Sequence, residues 1–188
     1  MRIALFAAAL LLCAPAMAQT SPTFPQKLDR PGFQGVIADT GSVYVAGQPT
    51  EQALRELAAQ GVTTIITLRT QQEMDNRKAV PFDEAALAKE LGLTYVHVPL
   101  GGPDTPYTPE AVDKVAAAID SAKGKVLLHC TVGWRASHMW AAYLVKDKKM
   151  SYADAVKAGE AINLNGYKPA NAKSTPLEDL LGMTPKAN

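Results

Sequence analysis

KVLLHCTVGWRAS, residues 125–137, decides how this chain is to be read. Lys125 to His129 is a short apolar run of the kind that forms a buried strand. A helical pattern opens at Arg135 and runs to about Asp147. Between the two stand a cysteine, a glycine and an arginine, namely Cys130, Gly133 and Arg135. In open α/β sheets ligands sit beyond the carboxyl ends of the strands. Cys130 follows directly on a strand and therefore falls where chemistry is expected.

Outward from this stretch, β-type runs alternate with helical patterns. Val43-Tyr44-Val45 is a strand closed by Ala46-Gly47-Gln48-Pro49. Thr50 caps a helix over Glu51 to Gln60, with Gly61 as its stop. The β-branched run Val62 to Leu68 is a buried strand. Arg69 to Lys78 reads as a polar loop, and Phe82 to Leu91 as a helix. Leu93 to Leu100 is a third strand candidate, followed by a Gly/Pro loop over Gly101 to Tyr107. Thr108-Pro109 starts the next helix. A last helix begins at the weak capping box of Ser151 and Asp154. The tail, 168–188, reads as loop with a short turn at Leu177 to Leu181. Strand–helix repetition predicts a single α/β domain with a mostly parallel central sheet and helices on both faces.

The amino terminus reads separately. Met1-Arg2 is followed by an uncharged apolar run, Ile3 to Cys13, and by Ala16-Met17-Ala18. This layout predicts a signal peptide over 1–18, cleaved after Ala18, and hence export to the periplasm or the medium. The run is too short to span a bilayer, which takes about 20 residues, so no stable membrane insertion is expected after cleavage. Residues 19–34 read as an extended leader rich in Pro, Ser and Thr. Lys plus Arg number 19 and Asp plus Glu 18, and Arg2 is the one charge within 1–18. The remaining 170 of the 188 residues are therefore net neutral with His uncharged. That balance gives no basic field for nucleic acid.

Cys130 is the one cysteine after residue 18. A lone cysteine is plainly accounted for as a small buried hydrophobe; its neighbours argue otherwise. The loop amides of Thr131, Val132, Gly133, Trp134 and Arg135 can converge on one point, to which the following helix adds its positive end. Gly133 permits a backbone conformation other residues resist. Arg135 offers a planar, charged fork to an oxyanion. A cysteine at such a cradle is favoured as thiolate, the competent nucleophile. The alternative is a buried cysteine beside an arginine that pairs with an acid. Ser137 is placed to bond the thiolate, and His129 to orient the loop.

Asp104, on the loop after the neighbouring strand, is a candidate general acid, or else a turn-forming residue. Arg69 ends a strand at the same sheet edge, where it either adds positive field or lies on the surface. His138 can face either way, and His97 reads as a strand histidine without catalytic role. Trp134 shapes a pocket rim or joins the core, and Trp140 reads as core. The three histidines and Cys130 lack metal-ligand spacing, and neither a metal nor another cofactor is expected.

The run His129-Cys130-x-x-Gly133 followed by Arg135 and Ser137 resembles the active-site loop of the cysteine-dependent, dual-specificity-like phosphatases. The closer similarity is to the beta-lactamase-hydrolase-like phosphatase domain family, in which the arginine comes five residues after the cysteine. Ala46-Gly47-Gln48-Pro49 and Leu68-Arg69 also match that family's strand ends. The resemblance implies a protein-tyrosine-phosphatase-like fold over 35–167, Cys130 as nucleophile, Arg135 as anion-binding arginine and Gly133 as loop glycine. Asp104 matches the family acid by approximate location. In the longer phosphatase signature the arginine would fall on Ala136. The short loop also resembles that of rhodanese-type sulfurtransferases. Three functions stay open: a phosphatase of small anionic or phosphorylated substrates, a sulfurtransferase working through a Cys130 persulfide, and a non-catalytic oxyanion-binding module. Oligomeric state is not legible.

Overall fold

The computed structural model describes residues 25–166 and 173–183. The signal peptide expected over 1–18 lies outside the described residues, as do 19–24, 167–172 and 184–188. Elements follow in the order β1 (Gln26–Lys27), β2 (Ile37–Asp39), β3 (Val43–Ala46), α1 (Glu51–Ala59), β4 (Val62–Thr67), α2 (Gln71–Asp75), α3 (Glu84–Glu90), β5 (Thr94–His97), α4 (Pro109–Ser121), β6 (Lys125–His129), α5 (Trp134–Lys146), α6 (Tyr152–Glu160) and α7 (Pro176–Leu180).

The sheet order is β1-β2-β3-β6-β4-β5. β3, β6, β4 and β5 pair in parallel, and β1 and β2 extend the β3 edge antiparallel. The mostly parallel sheet is thus as expected, and the Cys130 strand β6 lies inside it. Successive strand side chains point to opposite faces, and the core divides accordingly. Val126, Leu128 and Cys130 pack with Val45, Ile66 and Leu68 under α4 and α5. Leu127 packs with Ile65 on the other face, against Leu54 and Leu57 of α1 and Leu87 of α3.

Caps explain where the helices start. Thr50, Thr108 and Ser151 each accept a hydrogen bond from the amide three residues on, at Ala53, Ala111 and Asp154. Three segments differ from expectation. Arg69 to Lys78 is not all loop: Thr70 and Glu73 form a reciprocal capping box that opens α2. The leader read over 19–34 contributes β1 to the sheet. The tail carries α7, whose Leu177 and Leu180 are buried in the α4–α5 core. Among the described residues no helix is long and apolar enough to cross a membrane.

Candidate active site

The carboxyl ends of β3, β4 and β6 meet around Cys130. Gly47 lets them approach: a Cβ there would stand 1.6 Å from the Gln34 carbonyl oxygen and 2.9 Å from that of Thr131. With no side chain at Gly47, the Gln48 amide donates to the Thr131 carbonyl at 2.9 Å and stitches the β3 end to the cysteine loop. Gly133 sits at φ +88°, in the left-handed region, and its missing Cβ would come 2.3 Å from Cγ1 of Val36. It turns the chain out of the loop and into α5, where the Ser137 amide is bonded back to the Gly133 carbonyl. The amides of the first helical turn before Ser137 have no partner within the helix, so the positive end of α5 faces the loop as expected.

Cys130 is 1% exposed, beneath that loop. A cleft of about 630 Å³ beside Arg135 is walled by Thr70, Glu73, Asp104, Tyr107, Trp134 and Arg135, and Cys130 is not among its lining residues. Trp134 is therefore a rim residue. Asp104 lines the same cleft as Arg135. Tyr107 is pushed up to about 12 by burial and lines the cleft as a neutral phenol.

Arg135 is held by the protein rather than standing open. Its Nη1 donates to Glu73 Oε2 at 2.8 Å, to the Leu100 carbonyl at 2.8 Å and to the Leu68 carbonyl at 3.3 Å. Its Nη2 donates to Glu73 Oε1 at 2.6 Å and to Thr131 Oγ1 at 2.9 Å. Each Nη carries two hydrogens, so both ends of the fork are engaged internally. Glu73 also accepts from the Thr131 hydroxyl at 2.8 Å and from the Thr70 amide at 2.8 Å. Burial pushes this carboxyl up; the Arg135 hydrogen bonds, the Thr70 amide and the Thr131 hydroxyl outweigh it and hold it at about 2. Arg135 is pulled down by burial, but the Glu73 hydrogen bonds and the nearby Cys130 and Glu73 charges raise it above its ordinary value.

On the opposite face of β6 lies a second polar group. His129 is fully buried, with Nε2 2.9 Å from Glu84 Oε1 and Nδ1 3.4 Å from the Cys130 carbonyl. Glu84, the first residue of α3, is itself 1% exposed and also accepts from Gln48 Nε2 at 2.7 Å. Burial pushes the Glu84 carboxyl up, while His129, Gln48 and Arg69 together hold it below its ordinary value. His129 thus stands between the Cys130 carbonyl and an acid that the sequence did not single out.

Two expectations are corrected. Arg69 is not a surface residue: it is 2% exposed, donating from Nη1 to Gln48 Oε1 at 2.7 Å and from Nη2 to the Glu73 carbonyl at 3.4 Å. Its positive charge lies behind the cradle, where burial pulls it below its ordinary value and Glu73 opposes that. The Ser137 hydroxyl donates to the Gly133 carbonyl at 2.8 Å, which spends the hydrogen expected to bond a thiolate. Among the other candidates, His138 faces inward, with its ring 4.5 Å from that of Trp134 and Nδ1 2.9 Å from the Trp134 carbonyl. His97 Nε2 lies 2.7 Å from the Arg69 carbonyl, a structural contact, and Trp140 is in the core.

Sequence reasoning missed Gln48, Glu73 and Glu84. Gln48 carried a signal, the Ala46-Gly47-Gln48-Pro49 strand end. Glu73 carried another, the Thr70-x-x-Glu73 capping spacing. Glu84 reads as an ordinary helix-start acid, and nothing local marks it as buried.

Comparison with known proteins bears on this geometry. Residues 36–145 match the family model for the phosphatase-like domain of beta-lactamase hydrolase-like protein. A beta-lactamase hydrolase-like protein of Xylella fastidiosa is 32% identical over 117 residues, covering 62% of this chain and 26% of that protein. The chain therefore spans about a quarter of that relative's length. Dual specificity protein phosphatase 18 of Mus musculus is 28% identical over 142 residues, covering 72% of this chain and 69% of that protein. A solved structure of a candidate phosphatase from Shewanella putrefaciens matches with a TM-score of 0.57 and 26% identity, over 81% of this chain and 91% of that one.

Proposed function

This chain belongs to the family of the phosphatase-like domain of beta-lactamase hydrolase-like protein, and on that premise we propose that it hydrolyses phosphomonoesters through a phosphocysteine. The observation that carries the reading is the passage from β6 to α5: Cys130, the left-handed Gly133 and Arg135 lie within one turn of chain, with Asp104 across the cleft. Cys130 Sγ attacks phosphorus as the bond to the ester oxygen breaks, and Asp104 gives its proton to the leaving alcohol. Water then attacks the phosphocysteine; the sulfur–phosphorus bond breaks, inorganic phosphate leaves and the thiolate returns. Loop amides and the α5 terminus stabilise charge on the transferring group. The Cys130→Ser variant is expected to lose turnover of p-nitrophenyl phosphate. A wild-type protein inert towards phosphomonoesters across pH 4 to 8 would overturn the reading.

One observation favours a second reading, sulfur transfer. Both ends of the Arg135 fork are already engaged, which leaves less to hold the oxygens of a phosphoryl group. In that chemistry Cys130 Sγ attacks the outer sulfur of thiosulfate, sulfite leaves, and the persulfide passes its sulfur to a thiol or cyanide. Intact mass after incubation with thiosulfate, or with a phosphoryl donor, separates the two. Export belongs to the same proposal: protein recovered from the periplasm or medium is expected to start at Gln19.

A further inference from the structure

Arg135 is the one cation among the described residues lining the cleft, and it arrives already paired. Glu73 takes it in a two-point bond and is itself fixed by the Thr70 amide and the Thr131 hydroxyl. Behind the cradle the Arg69 charge faces Glu73 and Glu84. Two arginines thus meet two carboxylates, so the charged side chains around the cradle cancel. A site with that balance attracts a doubly charged anion poorly, because the Coulomb energy scales with ligand charge. A singly charged group loses much less and keeps the loop amides as donors.

We infer that Glu73 is a specificity-determining residue, which neutralises the Arg135 fork and sets the Cys130 cradle to accept singly charged anionic groups in preference to doubly charged ones. This rests on the reading of the cradle as the anion site of a cysteine phosphatase. It narrows the substrate class to one whose reacting group enters with a single negative charge, and it disfavours ligands carrying further phosphates. The Glu73→Gln change keeps the size of the side chain and one carbonyl acceptor for Arg135, and removes the charge.

The test is titration calorimetry of the full chain with methanesulfonate and with sulfate, tetrahedral anions of one and two charges, at constant ionic strength. Wild-type protein is expected to bind methanesulfonate at least as tightly as sulfate. In Glu73→Gln, sulfate should gain about the square of the factor that methanesulfonate gains, on the order of tenfold against threefold. A role confined to holding the arginine in place predicts the reverse, weaker binding of both anions by a similar factor, and that result overturns the inference. Should the variant fail to fold, the wild-type ratio still decides: sulfate bound tenfold tighter than methanesulfonate refutes it. Charge selection without any phosphomonoester turnover removes the phosphatase reading alone. No binding of either anion to either protein removes the cradle and both readings with it.

Discussion

Replacing Glu84 tests whether the polar group behind Cys130 holds the loop. Glu84→Ala removes the acceptor for His129 Nε2 and for Gln48 Nε2. Both donors are buried, and each orphaned buried donor costs about 1–3 kcal/mol. The variant also leaves the Arg69 charge with less compensation, and breaking a buried charge pair costs about 3–5 kcal/mol. These overlap, so the expected loss is about 3–5 kcal/mol, a large part of the roughly 5–15 kcal/mol of a typical domain. For a chain of this size that lowers Tm by about 10 °C. Glu84→Gln keeps one acceptor oxygen but turns an amide donor towards the other partner, and should lose about half as much. The pH dependence adds a sign. Glu84 is held below its ordinary value in the folded state, so the unfolded chain binds more protons in acid and stability rises with pH. The wild-type contribution is complete above the ordinary carboxylate range and fades as pH falls below about 4.5. Urea melts from pH 3 to 7 should show a shallower acid slope in Glu84→Gln, with the share due to Glu73 remaining. A Glu84→Ala protein within 1 kcal/mol of wild type, at unchanged m-value, would refute the reasoning.

Three further predictions follow from the same geometry. Asp104→Asn is expected to slow turnover of esters with poor leaving groups about 10²–10⁴-fold with unchanged Tm, because the residue is an exposed loop position; an unchanged rate would remove it as the acid. Gly133→Ala should cost about 1–2 kcal/mol for its left-handed backbone plus a clash with Val36. Adding Val36→Ala in thermal melts should recover the clash and leave the backbone cost; full recovery would contradict that split. Exchanging the arginine forward, as Arg135→Ala with Ala136→Arg, should give protein without a cooperative melt, since Ala136 is wholly buried and an unpaired charge there is costly; a wild-type melt would show that the α5 register is not what positions the arginine.

How much of this was readable beforehand follows from where each signal sits. β3, β4, β6 and the longer helices announce themselves through periodicity and through Thr50, Thr108-Pro109 and Ser151, all local to the chain. β1 and β2 span two and three residues and owe their existence to pairing, β2 with β3 and β1 with β2. α2 has five residues, too few for a period, and the capping box alone betrays it. In the site, Cys130, Gly133 and Arg135 were legible because they are adjacent in sequence. Glu73 and Glu84 were not, because a carboxylate on a short polar stretch looks the same whether it meets water or a buried arginine. Arg69 stayed open between the two readings for the same reason: its partners are Gln48, just past the end of β3, and Glu73 of α2.

The five-residue spacing between Cys130 and Arg135 acquires a physical meaning from the register of α5. The helix starts at Trp134, and each residue turns the side chain by about 100°. Trp134 and Arg135 therefore reach the cleft, while Ala136 is carried into the core beside Met139 and Trp140. An arginine one place later has no route to the anion. The short loop in turn brings the guanidinium back against the carbonyls of Leu68 and Leu100 at the ends of the neighbouring strands. Those carbonyls and Glu73 are the acceptors such a buried fork needs, since an unpaired guanidinium would be expensive there. Shortening the loop and enclosing the arginine with Glu73 are thus one structural decision, and it bears directly on which anions the cradle can hold.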